Sequence, residues 1–140
     1  MKCLLDTNVL SEIRKLYGDE RVKNFVNSLR EEDVYISVLS IGEIGFGIEK
    51  LPAGPKKTEL LIWLTQKLPE RFGGRIIPLD TNIMAEWGRL QARTAKTLPV
   101  FDSLIAASAL ARNLTVVTRN TKDFEGIEGL DLLNPWVEGP

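Results

Sequence analysis

Apolar positions along this chain fall into two patterns: short runs bounded by polar turns, and longer stretches in which they recur every three or four residues. The short runs occupy residues 2–5, 34–38, 75–79, 114–118 and 130–133 and predict strands. Val34-Tyr35-Ile36-Ser37-Val38 is the clearest, being rich in β-branched and aromatic side chains, while Pro78 assigns 75–79 to a sheet edge. Between the strands, a short helix over 9–16 follows the turn and cap residues Asp6-Thr7-Asn8 and stops near Gly18. Asp19 caps a second helix, in which Val22, Phe25, Val26 and Leu29 form one face. Ser40 opens a third that runs to about Lys50, where Pro52, Gly54 and Pro55 break it. Residues 57–68 carry Leu60, Leu61, Leu64 and Leu68 on one side, and Thr81 caps a longer helix through about Lys96. Asp102 opens an apolar helix over 103–111 that ends at Asn113, and 119–124 reads as a loop or single turn.

Strands too apolar to face water, alternating with helices, predict an α/β fold of three layers, α/β/α, around a central parallel sheet of four or five strands. No repeat, low-complexity tract or long linker interrupts the pattern, so residues 1–140 read as a single domain.

Composition then narrows the chemistry. The 140 residues include no histidine and one cysteine, Cys3. Histidine-dependent triads, imidazole bases and imidazole metal ligands are excluded, as are an internal disulfide and a four-thiolate zinc site. A metal held here takes oxygen ligands, which points to Mg²⁺, Mn²⁺ or Ca²⁺. The formal net charge of −1 gives no global positive field, so any contact with a polyanion depends on local basic groups. Charge appears too early for a signal-peptide core and no apolar run approaches a membrane span, so a cytoplasmic location is expected.

In a parallel sheet, ligands bind beyond the carboxyl ends of the strands where the strand order reverses. Asp6 ends the first strand, Asn120 and Asp123 follow the fourth, Asp102 opens the helix feeding that fourth strand, and Glu43 lies in the first turn of the helix after the second. If strands one and four flank the reversal, these groups converge. Crowded carboxylates repel one another and are tolerated mainly where a divalent cation neutralises them. Each also has a local reading. Asp6 and Asp102 suit helix caps, Ser40-x-x-Glu43 matches a capping box, and Asp123 suits pairing with Lys122 or Arg119 on a turn. Gly42, Gly45 and Gly47 inside a helix cost roughly 1 kcal/mol each and suggest close approach of a backbone, ligand or partner, or tight helix–sheet packing.

Several segments, taken in order, resemble a known family. They are Leu5-Asp6-Thr7-Asn8-Val9-Leu10-Ser11-Glu12, Ser37-x-x-Ser40-x-Gly42-Glu43, Leu98-Pro99-Val100-x-Asp102-x-Leu104-Ile105-Ala106-Ala107, Thr118-Arg119-Asn120-x-x-Asp123-Phe124 and Asn134-Pro135-Trp136. Together they are similar to the PIN domain, and more closely to VapC/FitB-type toxins of bacterial toxin–antitoxin pairs. The resemblance implies a Mg²⁺- or Mn²⁺-dependent endoribonuclease, with Asp6, Glu43 and Asp102 at the three acidic positions that hold the metal. The family's fourth acidic position falls at Asn120, an amide here; Asp123, three residues on, is the alternative source of that charge. Thr7 and Thr118 are expected near the cleft.

The resemblance also implies a small antitoxin partner covering the cleft, a homodimer and an RNA substrate. Cations for the RNA are sought in the stripe Arg89, Arg93 and Lys96, and in Arg14, Lys15, Arg119 and Lys122. Phe46, Ile62, Trp63 and Leu64 are available to the core or to partner surfaces. Two other classes stay open on the residues: a phosphotransferase or receiver-type module using Asp6 or Asp80, and a non-catalytic PIN-like binding domain, for which Asn120 is the main support.

Overall fold

The central strand is only three residues long. In a computed structural model of the chain, which describes residues 1–95 and 97–137, β1 (Cys3–Leu5) is wholly buried and lies in the middle of a five-stranded sheet. Its neighbours are β2 (Val34–Ser37) and β4 (Thr115–Val117), with β3 (Ile76–Ile77) and β5 (Leu132–Leu133) outside them, giving the order β3-β2-β1-β4-β5. Every pairing is parallel, with Cys3 opposite both Val34 and Thr115. The chain winds outward from β1 through β2 to β3, then returns to the other side of β1. The order therefore reverses between β1 and β4, as expected from the strand ends.

Alternation along the strands divides the core between two faces. Cys3, Leu5, Ile36 and Val117 point to one side and pack against α1 (Thr7–Arg14), α2 (Glu20–Ser28), α3 (Val38–Glu49), α4 (Pro55–Ile62) and α5 (Leu68–Phe72) through Val9, Val22, Ile48, Leu60 and Phe72. Leu4, Ile77 and Val116 point to the other and meet α6 (Thr81–Arg93) and α7 (Val100–Arg112) through Ile83, Leu90, Ile105 and Ala106. This is the three-layer α/β/α arrangement. Among the described residues no helix is long and apolar enough to cross a membrane. Cys3 is fully buried, and burial pushes its thiol pKa up to about 11.

Asp19 caps α2 as expected, and where other helix starts depart from the sequence expectation they move toward an earlier residue. Of the candidates Asp6-Thr7-Asn8, Asp6 caps α1, its Oδ1 accepting from the Thr7 N–H at 2.8 Å, and the helix begins at Thr7. Ser37 caps α3 by accepting from the Leu39 N–H at 3.0 Å, which puts Ser40 inside the helix. The expected Ser40–Glu43 capping box does not form, because a serine three residues earlier already satisfies the helix end. Asp80 rather than Thr81 caps α6. Pro99 precedes α7, so Asp102 sits within the first turn instead of before it. Pro55 proves to be a helix start: at the first helical position its missing N–H costs nothing. From α4 the chain passes through a wide π-type turn at Trp63–Lys67 directly into α5. β3 stops at Ile77, as Pro78 has no N–H to extend the ladder. Asn113 ends α7 in the left-handed conformation at φ 56°.

Close approach to the glycines of α3 is confined to Gly45, where a Cβ would stand 3.4 Å from Leu64; Gly42 and Gly47 face open space. Replacing Asp80 by Ala removes the α6 cap and is expected to lower unfolding free energy by about 1 kcal/mol, measured by urea titration monitored by circular dichroism.

Candidate active site

The site is assembled from the ends of β1 and β4. Asp6 follows β1, its own N–H held by the Val117 carbonyl at 2.9 Å, and its side chain is 7% exposed. One carboxylate oxygen accepts from Thr7 N–H, the other from the Thr118 hydroxyl at 2.9 Å. Cap and cleft acid are thus the same residue, so the two readings of Asp6 do not compete. Thr118, fully buried after β4, has its hydroxyl saturated: it donates to Asp6 and accepts from Asn8 Nδ2 at 3.2 Å and the Asn120 N–H at 3.1 Å. That leaves the donor to Asp6 a single orientation.

A second hydroxyl relay fixes Glu43. Thr7 Oγ1 lies 2.8 Å from both Glu43 Oε1 and Ser40 Oγ. The Thr7 proton belongs to the carboxylate, and the Ser40 hydroxyl donates in turn to Thr7. Starting α3 at Val38 is what turns Ser40 and Glu43 toward α1.

Asp102 reaches the same cleft from the first turn of α7. Burial pushes its pKa up to about 6, and the charges of Asp6, Asp123 and Glu43 add to the shift in that order. Burial also raises Asp6, against the hydrogen bonds from Thr118 and Thr7, and the Asp123 charge pushes it further in the same direction. Asp6, Glu43, Asp102 and Asp123 therefore share one electrostatic environment. Asn120 contributes differently: its backbone N–H supports Thr118 and its side chain is exposed. The fourth charge felt at the site is that of Asp123, on the single turn Thr121–Phe124. Among the described residues, no three acids stand close enough to hold a metal ion by themselves.

The basic residues fare unevenly. Arg89 is tied to Glu86, and Arg93 lines a cavity of about 430 Å³ beside Glu86, Glu125 and Glu128. Of the stripe on α6, Arg89 is therefore already paired, Arg93 shares its cavity with three glutamates without an ion pair to them, and Lys96 lies outside the described residues. Lys15 pairs with Glu12, while Arg14 lies over the Trp63 ring. Leu64 is core, whereas Phe46 and Ile62 are exposed. Asp80 accepts from the Ile83 N–H and faces Arg112 at 3.6 Å, a capping environment that speaks against a phosphoacceptor. The roles of Asn8 and Ser40 escape a sequence reading, because both depend on partners more than 30 residues away.

Comparison with known proteins places the whole chain. The PIN domain profile matches residues 3–130. The chain belongs to the PIN domain family. It is 38% identical over 136 residues to Toxin FitB of Neisseria gonorrhoeae, covering 95% of this chain and 97% of that protein. It is 35% identical to VapC ribonuclease Y4jK of Sinorhizobium fredii, covering 95% and 96%. The crystal structure of FitAcB from Neisseria gonorrhoeae superposes with a TM-score of 0.88 at 36% identity, covering 96% of this chain and 98% of that one. Within the PIN domain family the chain thus groups with the VapC- and FitB-type toxins.

The raised pKa of Asp102 makes a pH prediction with a definite sign. The folded chain keeps the Asp102 proton to about pH 6, whereas the unfolded chain releases it near pH 4. Stability therefore falls as pH rises through that window, and this loss is complete above about pH 6. Asp102→Asn is expected to raise the melting temperature of the metal-free protein at about pH 7.5, with the gain fading toward about pH 4. Calorimetry of both proteins at the two pH values checks it; a gain independent of pH contradicts the crowding of charge at Asp102.

Proposed function

We propose that this protein is a Mg²⁺- or Mn²⁺-dependent endoribonuclease, the toxin of a toxin–antitoxin pair, inhibited by a small cognate antitoxin. The observation that carries the reading is the convergence of Asp6, Glu43, Asp102 and Asp123 at the switch point between β1 and β4. The VapC relative from Sinorhizobium fredii is named a ribonuclease, and FitB a toxin. A solved relative at 26% identity is described as DNA-bound VapBC from Salmonella typhimurium, and another, at 25%, as a toxin–antitoxin complex from Klebsiella pneumoniae.

The donor chemistry suits a hard divalent cation: all-oxygen, anionic and mutually repelling. The acids are spread too widely for a closed cage, which suits an ion that keeps several of its waters and is held by one or two carboxylates at a time. Asp6, Glu43 and Asp102 are the residues assigned to hold it, with Asp123 adding charge at the rim. When bound, the ion supplies positive charge against the phosphate and acidifies water for attack on the phosphodiester.

The chain's own residues prepare that step. Thr118 and the Thr7 N–H hold the Asp6 carboxylate in one orientation, and the Ser40–Thr7 relay orients that of Glu43. Asn8 ties the two halves of the site, linking Thr118 with the turn after it. Asn120 shapes the loop without lending a charge. The antitoxin is placed over the acid cleft and a second copy of the chain against an exposed apolar surface, both in the cytoplasm.

Two outcomes test the reading. Wild-type protein with Mn²⁺ is expected to cleave structured RNA at discrete positions seen by 5′-end mapping, and Asp102→Asn to lose at least 100-fold, on the order of 3 kcal/mol of transition-state stabilisation. Mn²⁺ is also expected to raise the melting temperature of the wild type and to leave Asp6→Asn/Asp102→Asn unchanged. Full RNA cleavage by folded Asp102→Asn refutes the assignment of that residue. Absence of any Mn²⁺ shift in the wild type favours instead a PIN-like binding domain.

A further inference from the structure

One arginine at the end of β4 is held as a built feature of the fold. Arg119 immediately follows Thr118, the residue whose hydroxyl donates to Asp6. Its N–H donates to Asn8 Oδ1 at 3.2 Å, and its carbonyl accepts from Asn134 Nδ2 at 3.2 Å. Asn134 Oδ1 in turn accepts from the Trp136 N–H at 2.9 Å. The guanidinium lies over the Trp136 ring, 5.2 Å from its centroid. Trp136 is 7% exposed and packs in the same core cluster as Cys3 and Leu5 of β1, so the platform is part of the core while the cation above it is exposed. Backbone and side chain of Arg119 are thus positioned by three residues from two separate segments.

Its electrostatic partners are the second observation. Arg21, Arg30, Arg71, Arg75, Arg89 and Arg112 each reach a carboxylate. Among the described residues Arg14, which lies over Trp63, Arg93 and Arg119 reach none, and of these three Arg119 is the one that directly follows the Thr118 segment bonded to Asp6. Were it there to neutralise that cleft, an ion pair with Asp6 or Asp123 would be the low-energy arrangement. Seating on the indole face instead keeps the charge with little desolvation and fixes the plane of the guanidinium, leaving its donor fork open. A planar fork matches two phosphate oxygens better than any other side chain does.

We infer that Arg119, seated on Trp136, is a phosphate-binding residue that takes the RNA backbone beside the acid cleft. The inference rests on the ribonuclease reading. It locates the cation that an acidic site requires for a polyanion and moves it away from α6, where Arg89 is already engaged with Glu86. Asn134, Pro135 and Trp136 then serve as the bracket for that cation.

The test is binding of a fluorescein-labelled single-stranded RNA oligonucleotide by anisotropy, with Mn²⁺ present and Asp102→Asn as the parent protein, across a range of salt. Arg119→Gln in that background is expected to weaken binding roughly tenfold and to lower the slope of log affinity against log salt by about 0.7, the value for one phosphate contact on a single strand. Arg119→Lys is expected to keep the slope and lose part of the affinity, since lysine carries the charge without the fork. Arg89→Gln, which removes an arginine already paired with Glu86, is expected to change neither. An unchanged slope in Arg119→Gln, or an equal drop in Arg89→Gln, overturns the inference while leaving the ribonuclease reading intact. Failure of the parent to bind RNA, together with absence of cleavage by the wild type, overturns that reading and this inference with it.

Discussion

Mutual repulsion of carboxylates in a partly buried cleft is the constraint around which this chain is arranged. Ionised acids out of water lose solvation and raise one another's pKa, and each must be offset locally. Asp6 is offset by a helix N-terminus and a threonine hydroxyl, and Glu43 by a second threonine. Asp102 has the positive end of the α7 dipole but accepts no hydrogen bond from a side chain among the described residues, and its pKa rises to about 6. The least compensated acid is therefore the one most responsive to an added positive charge. On the proposed role of Asp102, function and stability pull against each other at that residue.

The sheet supplies the convergence at small expense in chain. Three residues of β1, paired on both sides, place Asp6 at the reversal of strand order; three residues of β4 place Thr118 and its following turn beside it. Helices α3 and α7 then bring Glu43 and Asp102 by their first two turns. Two buried layers, one on each face, fix the orientation of all four segments, so the site is held by the whole core instead of by a flexible loop.

Much of this was legible from residue order. The alternation of short apolar runs with amphipathic stretches specified the layers, and Pro78 marked the edge strand. The acids at strand ends located the cleft before any coordinates. Helix starts were not legible to the residue: Asp6, Ser37 and Asp80 each stand one to three positions before another plausible cap, and the deciding factor is which neighbour has to be buried, a tertiary effect. The same limit hid the Ser40 relay, since a residue assigned as a cap cannot also face α1. The choice between Asn120 and Asp123 depends on how a single turn folds after β4, and sequence spacing carries no information about that turn. The stripe on α6 misled for a simpler reason. Spacing shows that Arg89 and Arg93 share a face but not that glutamates share it too.

Cys3 has a practical consequence. The chain's one thiol opens the central strand, is wholly enclosed, and is held far from its thiolate form at neutral pH. Thiolate is the species that reacts with alkylating reagents and disulfides. To expose that sulfur, β1 must part from both β2 and β4, which amounts to dismantling the sheet. Labelling of this cysteine therefore counts molecules that have opened globally, and the native protein carries its own chemical gauge of unfolding without any introduced probe.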